Sequence, residues 1–143
     1  MGMDIPFNDD SYPFAPWRPS LGQVFEKTYA LDTETTPIDK EHPWITPAYV
    51  LGAVFDGNKG YFLQRKDAGA FLVAHENVCM VCHNAAFDLA VVNLLAPEAD
   101  VYDLVERNGV WDTQLFHQLY VLGKEGHTAR GQGQATLDHC AEQ

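Results

Sequence analysis

Between residues 28 and 83 the apolar positions of the chain fall into short runs of the length expected for β-strands. The run TYALDTET, residues 28–35, is apolar in its first half and carries carboxylates in its second. The segment AYVLGAVFDGNKGYFLQR, residues 48–65, predicts two strands joined at Asp56-Gly57-Asn58, since Asp-Gly is a favoured hairpin turn. NVCMVCH, residues 77–83, has the continuous apolar centre of a buried strand.

Helical spacing alternates with strands in the second half of the chain. We predict helices over KDAGAFLVAHE (66–76), NAAFDLAVVNLLA (84–96) and residues 100–107, then a short strand at GVWD (109–112). The next helix is expected to begin at Asp112 and to stop at Gly123, because these residue types favour helix caps. TLDHCAEQ, 136–143, predicts the start of another helix.

This order of elements predicts an α/β domain. Its mixed sheet should have three antiparallel strands first and parallel strands afterwards, with flanking helices. The first 26 residues differ, because Pro6, Pro13, Pro16 and Pro19 interrupt them. We therefore predict a proline-rich, extended N-terminal arm over residues 1–26, most of it without regular structure, whose aromatic residues pack on a domain spanning 27–143.

Composition is that of a globular protein. The 143 residues are 46% hydrophobic and 12% aromatic, which is enough for a single domain with a core. No apolar run approaches the roughly 18 residues that span a bilayer, and the acidic N-terminus lacks the regions of a signal peptide. Three cysteines are too few for a disulfide framework. We expect a cytoplasmic chain with reduced thiols and no membrane contact.

The formal net charge of −11 limits how nucleic acid can be bound. Nucleic-acid-binding proteins usually carry a basic face, whereas an acidic excess ordinarily serves solubility. A site that holds divalent cations and grips a few nucleotides remains compatible with this charge. The acidity therefore argues against tight DNA binding without excluding nuclease chemistry.

The sequence Cys79-Met80-Val81-Cys82-His83 matches the C-x-x-C-H pattern of covalent haem attachment. That chemistry is extracytoplasmic and needs a second axial ligand, for which no Met or His is obviously placed. A structural zinc would need a second cysteine pair. We expect no haem, and we interpret both cysteines as small apolar residues of a buried strand.

Three carboxylates carry the candidate chemistry. Asp32 and Glu34 flank Thr33, and side chains two positions apart on a strand share one face. Two like charges placed together require a cation or solvent to satisfy them, so a solvated strand end is the simple alternative. Asp88 lies one turn into a predicted helix, where an acid is also favoured by the helix dipole.

In combination, ALDTETTP (30–37) and CHNAAFDLAVV (82–92) resemble the first two motifs of the DEDD superfamily of 3′–5′ exonucleases. These DnaQ-like proteins include the proofreading domains of family A DNA polymerases. VWDTQLFHQLY (110–120) resembles the segment that follows. The resemblance covers residues 27–143 and implies a ribonuclease H-like fold, in agreement with the predicted element order. It also implies hydrolysis of phosphodiester bonds at nucleic-acid 3′ ends.

The resemblance implies a catalytic site with two Mg²⁺ or Mn²⁺ ions. By position, Asp32 would bridge both ions, Glu34 would hold the ion that activates water, and Asp88 would support the second. Residues at the substrate would be Thr33, Thr35, Asn84 and Phe87, the last packing under the site. Asp112 matches a recurrent position whose expected role is to cap its helix.

One departure from the family concerns the fourth carboxylate, which belongs to a later helix that this chain does not reach. Asp138 lies in the preceding predicted helix and is not assigned the role. We expect a fragment of a longer DNA polymerase or DNA-processing protein acting on single-stranded 3′ ends, DNA rather than RNA, and slow or inactive by itself. A natural chain lacking the fourth ligand, serving as a non-catalytic nucleic-acid-binding or assembly module, is the alternative.

Overall fold

The computed structural model describes residues 2–7, 9–95 and 99–126. The strands of these ranges are β1 (Met3–Phe7), β2 (Asp10–Pro16), β3 (Thr28–Thr35), β4 (Tyr49–Phe55), β5 (Gly60–Gln64), β6 (Cys79–Cys82) and β7 (Val110–Asp112). The α-helices are α1 (Ala68–Ala74), α2 (Ala85–Leu95), α3 (Val101–Glu106) and α4 (Thr113–Glu125). No helix in the described ranges has the length and apolar character needed to cross a membrane.

All seven strands form one mixed sheet in the order β1-β2-β5-β4-β3-β6-β7. Strands β3, β4 and β5 pair antiparallel, whereas β6 and β7 continue the sheet parallel to β3. This arrangement confirms the predicted sheet, including β3 at the residues expected from its pattern. Helix α2 packs on β3 and its neighbours, and α1 packs beside it.

The N-terminal segment corrects one prediction, because much of it has regular structure. β1 and β2 form an antiparallel hairpin, and β2 pairs parallel with β5. Pro6 lies on the edge strand β1, and Pro13 precedes the residues of β2 that pair with β5, so each proline has a paired strand on one side only and its missing N–H disrupts little. The ring of Phe14 lies directly over Gly60, where any side chain would clash. The expected packing of aromatics is confirmed by Trp17, which is fully buried.

The end of α4 corrects a second prediction. The helix continues through Gly123 to Glu125, and Gly126 adopts the left-handed conformation (φ 74°) that ends it. Its N–H donates to the carbonyl of Leu122, so the backbone geometry at Gly126 supplies the stop. The helix predicted at 136–143 lies outside the described residues.

The core occupies the face of the sheet that α1 and α2 cover. Phe71 of α1 makes edge contacts with Trp17 and Tyr29 and stacks on His75 with ring centroids 4.0 Å apart. Along β3, buried and exposed residues alternate, so Tyr29, Leu31 and Thr33 face the core. The intervening residues, including Asp32 and Glu34, are exposed on the opposite side.

Candidate functional site

The carboxyl ends of three parallel strands meet at one edge of the sheet. β3 brings Glu34 to this edge, His83 follows β6 directly, and Asp112 is the last residue of β7. In open α/β sheets, ligands bind outside the carboxyl ends of the strands, where the connections diverge. The chain runs antiparallel from β3 to β4 and parallel from β3 to β6, so this edge is the expected place for a site.

Asp32 and Glu34 lie on the same exposed face of β3, as the two-residue spacing predicts. The strand pairing shifts register between Glu34 and Thr35, which marks a local irregularity directly after the second carboxylate. Bulges of this kind re-aim side chains next to functional sites. Both carboxylates can therefore reach a common ligand from the solvent side.

Asp88 reaches the same strand from α2. It is 3% exposed, and its Oδ1 accepts hydrogen bonds from the backbone N–H of Thr33 at 3.1 Å and from the Thr33 hydroxyl at 2.6 Å. The turn from β6 into α2 runs through Asn84, whose φ is 67°; Asn is among the few residues that adopt this left-handed conformation readily. Asp88 is thus held on the residue between the two exposed carboxylates.

Burial, with a smaller contribution from the negative charge of Asp32, raises the pKa of Asp88 to about 6 against the opposing effect of the hydrogen bonds from Thr33. The ionised form of Asp88 is therefore unfavourable in this position. A bound cation would relieve both the desolvation and the repulsion by Asp32. This electrostatic cost is consistent with a binding site for positive charge.

Asp112 secures the helix that carries Asp88. Its carboxylate accepts from the N–H groups of Gln114 and Leu115 at 2.9 and 3.3 Å, which confirms the expected cap of α4. The same carboxylate also accepts from the N–H groups of Asn84 and Ala85 at 3.2 and 2.9 Å. One side chain therefore joins the starts of two helices, a role that sequence reasoning missed for α2.

A groove of about 280 Å³ adjoins Asp32 on the open face of the sheet, with Phe55, Val81 and His83 among its lining residues. Nδ1 of His83 lies 3.0 Å from the hydroxyl of Thr113. That hydroxyl donates to the carbonyl of Cys82 at 3.2 Å. His83 and Asp32 thus line the same groove, as expected if the Cys-containing strand delivers His83 to the site.

The residues predicted at the substrate occupy different environments. Thr33 is 8% exposed, and its hydroxyl donates to the Asp88 carboxylate. Thr33 therefore holds Asp88 on the core side of β3. Thr35 is half-buried and donates to the carbonyl of Thr36. Asn84 is exposed at the carboxyl edge. Phe87 is half-buried and packs against the core.

The donor chemistry of these carboxylates fits Mg²⁺ or Mn²⁺, which prefer oxygen ligands. The raised pKa of Asp88 also fits a cation nearby. Among the described residues, however, no three His, Cys, Asp or Glu side chains are drawn together as a metal-binding group. The site residues therefore match the metals in chemical type, with the carboxylates spread along β3 and the start of α2.

The cysteines pack as the sequence predicted. Cys82 is 2% exposed and Cys79 is partly buried, and both are free thiols. Burial raises the pKa of the Cys82 thiol, and the nearby carboxylates of Asp88, Asp112 and Asp32 raise it further. A buried, protonated thiol is a poor nucleophile and a poor metal ligand.

Comparison of the sequence with protein-family profiles and with curated proteins gives no match. Solved structures are similar in fold. The Nibbler EXO domain of Aedes aegypti matches with 10% identity and a TM-score of 0.50, over 79% of this chain and 60% of that one. The catalytic core of RRP6 from Trypanosoma brucei matches with 12% identity and a TM-score of 0.53, over 90% and 39%.

Brucella melitensis NrnC with bound Mg²⁺ matches with 15% identity and a TM-score of 0.51, over 90% of this chain and 72% of that one. The chain thus spans 60% of the Nibbler EXO domain and 39% of the RRP6 core. The mixed sheet and its flanking helices, together with these likenesses, define a ribonuclease H-like α/β fold. The predicted fold class is confirmed.

Proposed function

We propose that this chain forms the metal-binding part of a 3′–5′ exonuclease that hydrolyses phosphodiester bonds at nucleic-acid 3′ ends. The observation that carries the proposal is the attachment of Asp88 to Thr33, between Asp32 and Glu34. Three carboxylates from two separated sequence motifs thereby lie at one strand end, with Asp88 on the core face of β3 and Asp32 and Glu34 on the opposite face. Placing Asp88 here costs folding stability, because burial disfavours its ionised form and raises its pKa to about 6.

Asp32, Glu34 and Asp88 are the residues that would hold two Mg²⁺ or Mn²⁺ ions, with Asp32 shared between them. Such ions supply an activated water and stabilise the leaving 3′ oxygen. The chain itself positions the ligands. Thr33 fixes Asp88 with two hydrogen bonds, and Asp112 fixes the start of α2 through the N–H groups that it accepts.

We propose single-stranded DNA as the substrate, with its 3′ end near Thr35 and Asn84. The net charge of −11 disfavours extended contact with phosphates, so the bound ions would provide much of the attraction for the scissile phosphate. We also propose that the chain belongs to a longer DNA polymerase or other DNA-processing protein. In support, the chain spans between 39% and 72% of the similar chains.

A second candidate is a non-catalytic module that uses the same fold for nucleic-acid binding or assembly. One observation favours it: the described residues contain no group of three potential ligands in a metal-binding arrangement. The acidic surface is compatible with an assembly role. The two candidates differ in whether the carboxylates bind metal and support hydrolysis.

The test measures trimming of single-stranded DNA labelled at its 5′ end, and separately at its 3′ end, with Mg²⁺ or with EDTA. It compares residues 1–143 with a longer protein that includes a later helix bearing a fourth carboxylate. We expect residues 1–143 to trim about a hundredfold more slowly or not at all, because one missing preorganised group commonly costs that much. The longer protein should shorten the 5′-labelled strand stepwise.

Asp32→Ala in the longer protein is the control, and it should remove the trimming. Trimming that continues in EDTA or in Asp32→Ala would contradict the two-metal proposal. Full-rate trimming by residues 1–143 would show that these residues already provide every metal ligand. Metal-free DNA binding without any trimming by the longer protein would favour the non-catalytic module.

A further inference from the structure

The loop 36–48 joins β3 to β4 at the edge of the sheet that carries the candidate site. It begins two residues after Glu34. Its base is closed by two hydrogen bonds between Thr36 and Ala48, at 2.8 and 3.0 Å. The loop therefore lies at the same end of β3 as the carboxylates.

The tip of the loop has a defined conformation. Asp39 accepts from the N–H groups of Glu41 and His42 at 2.8 and 3.3 Å, and its second oxygen lies 2.8 Å from Nδ1 of His42. Ile45 N–H donates to the carbonyl of His42 at 3.0 Å. These hydrogen bonds fix the backbone on both sides of Trp44, so its indole projects from an ordered part of the loop.

Trp44 has the largest exposed fraction, 75%, of the large hydrophobic residues that the structure describes. The imidazole of His42 stands against its ring at 88°, with centroids 5.4 Å apart. This edge contact leaves indole surface open to solvent. An ordered, exposed tryptophan offers a large flat apolar surface with little conformational entropy to lose on binding.

We propose that Trp44 stacks on a nucleobase of the single strand bound at Asp32, Glu34 and Asp88; the inference rests on the proposed function and assigns it a base-binding residue. Every base has a π-face, so stacking suits a nuclease that accepts many sequences. It also suits this chain, whose net charge of −11 works against affinity from phosphates. Lys40, in the same loop, supplies a positive charge for the adjoining phosphate.

The test measures binding of fluorescently labelled oligodeoxythymidylate with Mg²⁺ by anisotropy. It compares the full chain with Trp44→Ala, Trp44→Phe and Asp32→Ala. Trp111→Ala is the matched control, since Trp111 is also exposed (54%) but lies on β7. We expect Trp44→Ala to weaken binding roughly five- to a hundredfold, Trp44→Phe to recover most of the affinity, and Trp111→Ala to match the wild type.

An abasic oligonucleotide of the same length separates base stacking from phosphate contact. It should bind the wild type and Trp44→Ala equally weakly. Equal binding of oligodeoxythymidylate by the wild type and Trp44→Ala would overturn the role of Trp44. If Asp32→Ala nevertheless loses binding in that experiment, the proposed function stands without a role for Trp44.

Further outcomes also overturn the role of Trp44. A similar loss in Trp44→Ala and Trp111→Ala, or a loss that extends to the abasic strand, would mean that base stacking at Trp44 is not the cause. If the wild type does not bind the oligonucleotide, the role of Trp44 is overturned. The support for a nuclease site is then lost as well. Binding that depends on Trp44 but not on Asp32 or Mg²⁺ would keep the stacking residue and reject the metal chemistry.

Discussion

Replacing Asp88 with Asn should stabilise the protein at neutral and alkaline pH in the absence of metal. Asn has nearly the same shape, and its Oδ1 can still accept both hydrogen bonds from Thr33. The substitution removes a charge whose burial raises the pKa of Asp88 from 3.8 to about 6. That rise corresponds to about 3 kcal/mol, which screening at the edge of the site reduces to about 2 kcal/mol.

The sign of the stability difference between the wild type and Asp88→Asn follows from its pH dependence. Below about pH 4 Asp88 is protonated in the folded and the unfolded chain, so it adds no penalty. As the pH rises towards about 6, the unfolded chain ionises while the folded protein still holds the proton. The free energy of unfolding of the wild type therefore falls across this window relative to Asp88→Asn. Above about pH 6 the difference reaches its full value.

The assay is urea denaturation in EDTA, followed by tryptophan fluorescence at about pH 4 and about pH 8. Asp4→Asn is the control, because Asp4 is an exposed carboxylate on the edge strand β1. We expect Asp88→Asn to match the wild type at the lower pH and to exceed its stability by about 2 kcal/mol at the higher pH. A less stable Asp88→Asn protein at about pH 8 would refute the reasoning, because the charge of Asp88 would then be compensated within the fold.

Three further outcomes are expected. Asp112→Ala should lower the free energy of unfolding by about 2–4 kcal/mol in urea denaturation, because two helix starts lose their hydrogen-bond acceptor. Asp100→Ala, which uncaps only α3, should lower it by about 1 kcal/mol. Burial lowers the pKa of His75, so below about pH 6.5 the unfolded chain takes up a proton that the folded protein does not. The free energy of unfolding should therefore decline as the pH falls below about 6.5, and the decline should be smaller in His75→Gln. A thiol reagent should modify Cys79 faster than Cys82 in the folded protein, as mass spectrometry would show; equal rates would contradict the burial of Cys82.

The strands and helices of residues 28–112 could be predicted from sequence because each element has a local signal. Alternating burial along β3 and the helical spacing of Val91 and Leu95 are properties of single elements. The hairpin of β1 and β2 could not be predicted in this way. Its strands exist because β2 adds to β5, with Phe14 over Gly60, and this long-range pairing overrides the prolines.

The same distinction applies to the site. The spacing of Asp32 and Glu34 predicts a shared face from the strand repeat alone. The second role of Asp112 depends on the parallel pairing of β6 with β7, which brings residues 84 and 112 together across 28 positions. The support that Thr33 gives to Asp88 likewise spans 55 positions. Neither contact leaves a signal in the local pattern.

Asp32, Glu34 and Asp88 are proposed to form a site for divalent cations. Calorimetric titration of Mn²⁺ into residues 1–143 at about pH 7.5, where Asp88 with a pKa of about 6 is ionised, tests it most directly. We expect saturable binding by the wild type that weakens at about pH 5 and is lost in Asp32→Ala. Equal binding of Mn²⁺ by the wild type and Asp32→Ala, or no binding by either, would contradict it.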